Sequence, residues 1–139
     1  RDPVDWLGSW YRYRLRPFLE GQRTSTAGIS FDEFVTAYLK RDRPAFADVG
    51  SQAKFLEPQR NGTAVTHLFR YEDQAGLCAF LEKRLGTQIK TTWINASPSM
   101  ELRLSIDVEK RFKRKCAMEY DTYNSIGANG SYTPPRPLG

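Results

Sequence analysis

Four stretches of this chain repeat apolar residues every three or four positions, while only two short segments have strand character. That ratio constrains the fold most, since an amphipathic helix needs an apolar face to lie on and one or two strands make no stable sheet alone. The first stripe is Val4, Leu7, Tyr11, Leu15 and Phe18, with Asp2 as a cap, Pro3 at the first helical position and Gly21 at the end. The second has the clearest start: Ser30-Phe31-Asp32-Glu33 is a capping box, Ile29 is placed to staple onto Phe34, and Phe31, Phe34, Val35, Tyr38 and Leu39 form its buried face. Asp73 caps the third, which turns Leu77, Phe80, Leu81 and Leu85 inward and stops at Gly86. Ser105 caps the fourth, one long helix with Val108, Phe112, Cys116 and Tyr120 on its inner stripe.

The strands are expected at 64–69 and 89–94, and a single helical turn at 51–56. Segments 22–28, 41–50, 58–62 and 95–99 are polar or proline-bearing loops. Strand, short turn and helix over 64–85 make half of a βαβ unit. The expectation is an α/β fold in which residues 1–127 are the helix-rich C-terminal portion of a single parallel-sheet domain. Either the domain is mainly helical, or strands are missing on the N-terminal side; the start at Arg1 favours the second, and 128–139 form an extended or disordered tail.

Composition removes several classes. With 40% hydrophobic and 27% charged residues, the chain is neither disordered nor low-complexity. No apolar run reaches the roughly 18 residues of a membrane span, and no apolar leader opens the sequence. Cys78 and Cys116 are far apart, which favours two buried thiols over a disulfide, and His67 is the lone histidine, so no metal site is expected. Lys and Arg number 21 against 16 Asp and Glu, and the excess gathers at Arg12, Arg14 and Arg16 and at Lys110, Arg111, Lys113, Arg114 and Lys115. Such clusters suit anionic partners, or simply a solvated helix face.

The opening residues carry the chemistry. Arg1 stands before the first helix and Ser9 lies about two turns along it, so a guanidinium fork and a hydroxyl can meet one phosphate. The spacing Arg1-x-Pro3-x-x-x-x-x-Ser9-x-Tyr11 resembles the 3′-phosphate motif of the sulfotransferase superfamily, which uses 3′-phosphoadenosine 5′-phosphosulfate. Leu68-Phe69-Arg70-Tyr71-Glu72-Asp73 is similar to that superfamily's strand-end motif. By this resemblance Arg1 and Ser9 bind the 3′-phosphate, and Tyr71 lies beside the adenosine, against the plainer reading of a half-exposed tyrosine at a strand end. Glu72 and Asp73 read as helix-capping carboxylates. Weaker echoes of the carbohydrate-type, family 2-like group occur at 30–39, 51–56, 93–97 and 119–123, while Trp6 replaces the second arginine of many members.

The resemblance implies a P-loop-NTPase-like sulfotransferase fold and transfer of a sulfuryl group to an acceptor hydroxyl on a carbohydrate. Adenosine 3′,5′-bisphosphate leaves, and no metal is needed. The lysine-bearing phosphosulfate loop and the catalytic base are expected upstream of Arg1, leaving the catalytic residue unknown; His67, read as a core or sheet-face residue, is not promoted to base. The acceptor side can include an acidic glycan gripped by the two basic clusters. The alternatives are a non-catalytic basic module for nucleic acid, which lacks any recognised signature, and a degenerate relative that binds glycan alone. Asn61-Gly62-Thr63, Asn95-Ala96-Ser97 and Asn129-Gly130-Ser131 are glycosylation-type triplets that suit a Golgi lumen; a bacterial cytoplasm is the preferred compartment.

Overall fold

The computed structural model describes residues 1–92, 94 and 99–134. They form a helix-rich chain in two compact units. One comprises Pro3–Gly50 and Asn95–Ala117; the other comprises Arg1–Asp2, Ser51–Ile94 and Met118–Gly139.

The three-helix unit is built from α1 (Pro3–Arg14), α2 (Phe31–Tyr38) and α5 (Ile106–Lys115). α2 starts where the sequence places it. Ser30 Oγ accepts the Glu33 N–H at 3.1 Å, and Glu33 accepts the Ser30 N–H at 2.7 Å. Its apolar face packs on α1 and α5, burying Leu7, Tyr11, Phe31, Phe34, Val35, Tyr38 and Phe112. Gly8 lies on the buried side of α1, where an added Cβ would come within 3.2 Å of Leu102. A side chain here would need Leu102 to give by a few tenths of an ångström, so close approach, not a turn, is what favours this glycine.

α1 stops at Arg14 rather than Gly21, because Pro17 lacks the N–H that would continue the ladder and starts a short 3-10 turn over Pro17–Leu19. The expected long C-terminal helix is two: α5 ends at Lys115, and α6 (Ala117–Asn124) follows after Cys116, whose ψ of 36° breaks the run. Ser105 makes no side-chain cap; its N–H is instead received by Asp32 at 2.8 Å.

The second unit contains α3 (Gln52–Phe55), α4 (Gln74–Leu85) and most of α6. α4 has the expected ends: Asp73 Oδ1 accepts the Gly76 N–H at 2.9 Å, and Gly86 takes the left-handed conformation at φ 66°. Its inner stripe is only half covered, with Leu77, Phe80 and Leu81 intermediate and Leu85 exposed. Neither expected strand forms among the described residues. The 64–69 segment meets a single antiparallel partner, through the His67–Ser131 bridge and the Leu68 N–H to Gly130 C=O bond at 3.0 Å. Extended residues need a ladder on at least one edge, and one bridge is no sheet. No parallel sheet is present among the described residues; the helix-rich character is what the structure shows.

His67 also departs from expectation. It is exposed, its ring leaning on Phe80 at 4.7 Å. The segment read as a loose tail contains packed residues: Gly130 is buried under the Phe69 ring and Tyr132 is 8% exposed. Residues 135–139 of that tail, and Trp93 and 95–98 of the expected turn and motif echo, lie outside the described residues.

Candidate functional site

Residues far apart in sequence converge on Arg1 within the second unit. Gln52 grips its backbone from both sides: Nε2 donates to the Arg1 C=O at 3.0 Å, and Oε1 accepts from the Arg1 backbone nitrogen at 3.1 Å. The next residue is held as well, the Asp2 N–H donating to Glu72 Oε1 at 3.0 Å. Pinned at two consecutive residues, the chain lays the Arg1 guanidinium over the Tyr71 ring, 4.3 Å from its centroid. Cation–π attraction of this kind is worth about 0.5–1 kcal/mol at an exposed site. It is weak enough for a better anionic partner to draw the guanidinium away.

Two further contacts hold the platform. Tyr123 OH donates to Glu72 Oε2 at 3.4 Å, and the Arg70 guanidinium lies over the Tyr123 ring at 4.6 Å. Arg70 Nε is buried with no hydrogen-bond partner among the described residues. Behind Gln52, Glu119 is 5% exposed and receives both the Ser51 hydroxyl and the Ala53 N–H, the latter at 3.2 Å. A buried carboxylate thus holds the first turn of α3, which presents Gln52 to Arg1. Buried charge is tolerated when donors surround it in this way.

Asp73 caps α4 as expected, but Glu72 does not; its carboxylate joins the Asp2 N–H to the Tyr123 hydroxyl. Burial pushes the Glu72 carboxyl up, and the Asp2 N–H, its own N–H, the charge of the Arg1 α-ammonium and the Tyr123 hydroxyl together outweigh that, leaving it below the ordinary range. Tyr123 moves up, first through burial and then through the Glu72 charge. A carboxylate with a depressed folded value stabilises above its unfolded value of about 4.3 and loses that contribution as pH falls through the depressed value. Urea midpoints taken from pH 7 down to pH 3 are therefore expected to show an acid-sensitive component in the wild type. Glu72→Gln is expected to lack it; identical pH profiles would refute the role given to Glu72.

Of the three site residues expected from sequence, Arg1 and Tyr71 stack on each other. Ser9 lies half-buried on α1 in the three-helix unit. Tyr11 of the same motif is core: its hydroxyl donates to Ile29 C=O at 2.6 Å, and its ring meets Phe31 and Phe34. The basic cluster at 12–16 is largely committed to structure. Arg12 donates to Met100 C=O at 2.9 Å, Arg14 to the carbonyls of Ala45 and Asp48, and Arg16 stacks on Tyr13. On α5, Lys110, Arg111, Arg114 and Lys115 are exposed, and Lys113 pairs with Glu109 at 2.6 Å.

Gln52, Arg70, Glu119 and Tyr123 escaped the sequence reading as contributors to this site. Gln52, Glu119 and Tyr123 had no sequence signal beyond a place inside weak motif echoes, and Arg70 fell at an unspecified position of the 68–73 motif. Cys78 and Cys116 are not disulfide-bonded, and no group of three or more His, Cys, Asp or Glu side chains suited to a metal occurs among the described residues. No described helix is long and apolar enough to cross a membrane. No protein-family model, no curated protein and no solved structure matches this chain.

Proposed function

We propose that this chain carries the nucleotide-binding end of a sulfotransferase that moves a sulfuryl group from 3′-phosphoadenosine 5′-phosphosulfate to a hydroxyl acceptor on a carbohydrate. One observation carries the reading. Arg1 and Tyr71 come from two separate motifs that point to one nucleotide, and they touch although 70 positions apart. The pair suits a nucleoside phosphate: a planar cation for the phosphate oxygens and an aromatic face for the base.

The nucleotide supplies the activated sulfuryl group. The chain's own part is binding and orientation, which dominate catalysis when an anionic group is transferred in line. Gln52 and Glu72 fix the backbone at Arg1 and Asp2, so the guanidinium reaches outward from a rigid base. Arg1 leaves the Tyr71 face for the 3′-phosphate, freeing that face for adenine. Adenosine 3′,5′-bisphosphate at 100 times its Kd is expected to stabilise the wild type by about 2.7 kcal/mol. Arg1→Ala and Tyr71→Ala are each expected to lose most of that protection, and full protection in both variants would overturn the proposal.

The exposed cations of α5 favour a second reading, a basic module for nucleic acid or glycan. Its mark is binding to DNA or RNA that falls steeply with salt, while the bisphosphate gives no protection.

A further inference from the structure

We infer that Asn61 is an acceptor for an N-linked glycan, and that the similar triplet at Asn129 is not. This inference goes beyond the nucleotide reading and does not rest on it; it takes the secretory-lumen alternative over the bacterial cytoplasm preferred from the sequence. Asn61, Gly62 and Thr63 are all exposed. They occupy a five-residue loop closed at its base by the Gln59 N–H to Thr63 C=O bond at 2.8 Å, with the Gly62 N–H donating back to Gln59 C=O at 2.9 Å. Gly62 takes φ 83°, which a side chain would resist, so the glycine at the middle of the triplet makes the turn. The Thr63 N–H donates to Asn61 Oδ1 at 3.0 Å.

That last bond has a chemical consequence. Donation to the amide oxygen draws electron density from the amide nitrogen and makes an Nδ2 proton easier to remove. The modification needs a nucleophilic Nδ2 and a hydroxyl two residues on. The co-reactant is an oligosaccharide linked through pyrophosphate to a polyisoprenyl lipid. The Asn61 Nδ2–C1 bond forms as the bond from C1 to the pyrophosphate oxygen breaks. The lipid pyrophosphate leaves with the bonding pair, and the amide gives one proton to solvent. An exposed loop tip accepts the bulk without losing buried contacts.

The Asn129 triplet has a similar pattern, with Ser131 in place of threonine, and a different setting, although Asn129 and Ser131 are themselves exposed. Asn129 sits at φ 59°, and Gly130 is buried beneath Phe69. Ser131 is bridged to His67, and its hydroxyl donates to Ala128 C=O at 3.3 Å. The group that must assist the reaction is already engaged.

The test translates the full chain behind a cleavable leader in the presence of microsomes. Enzymatic release of N-glycans then converts each modified Asn to Asp, which peptide mass spectrometry locates. Conversion is expected at 61 and not at 129. Thr63→Ala is expected to abolish it and Thr63→Ser to retain it. An unmodified Asn61 in the wild-type chain, or modification at Asn129 in its place, overturns the inference; neither result depends on nucleotide binding.

Discussion

Phe34→Ala is expected to destabilise the three-helix unit by about 3–5 kcal/mol, the usual cost of removing a buried phenylalanine. Its side chain has no exposed surface and is flanked by Tyr11 at 5.7 Å and Phe31 at 6.4 Å between ring centroids. These rings are themselves held: Tyr11 by its bond to Ile29, Phe31 by its place just inside the capping box. The surroundings therefore collapse poorly into the space, and the full cavity cost is felt. Phe55 is the matched control, 87% exposed on α3, where truncation is expected to stay within about 0.5 kcal/mol. Urea unfolding checks both. Equal midpoints for the two variants would show that the core is drawn wrongly.

Glu119→Ala is the second large effect, and it reaches the site. It removes two hydrogen bonds to a buried charge, each worth about 1.5–3 kcal/mol, and regains the cost of burying that charge. A net loss of roughly 2–3 kcal/mol is expected. Beyond stability, α3 has four residues and no length of its own to hold it together. Once its first turn loosens, Gln52 no longer fixes the Arg1 backbone, and affinity for adenosine 3′,5′-bisphosphate is expected to fall at temperatures where the protein is still folded. Unchanged affinity in a folded Glu119→Ala protein would separate α3 from the site.

What could be read in the sequence was local. The Ser30–Glu33 box, the Asp73 cap and the Gly86 terminus each depend on residues within a few positions, and each forms as the spacing implies. Pro17 is a local signal of the same kind, and it ends α1 before the apolar stripe does. The 64–69 segment shows the opposite limit: its composition suits a strand, but a strand exists only with a partner ladder, and among the described residues it meets one bridge, at Ser131, and one bond to Gly130. The same holds at the site. Arg1 and Tyr71 stand out in the sequence because each belongs to a motif, and the structure shows only that the two touch. Gln52, Glu72 and Glu119 act across 51, 70 and 66–68 positions, and no periodicity or spacing reports such pairs. Glu72 is instructive, because an acidic residue before a helix reads as a cap until the Asp2 N–H is seen to reach it.

Arg1 and Tyr71 are proposed as the phosphate and base ends of a nucleotide site. Isothermal titration of the 139-residue chain with adenosine 3′,5′-bisphosphate, set against adenosine 5′-monophosphate, tests it most directly. The account predicts preference for the bisphosphate, and a loss of about 10-fold to 100-fold in Arg1→Ala, the worth of one charge-assisted hydrogen bond. Equal affinity for the two nucleotides, unchanged by Arg1→Ala, would contradict it.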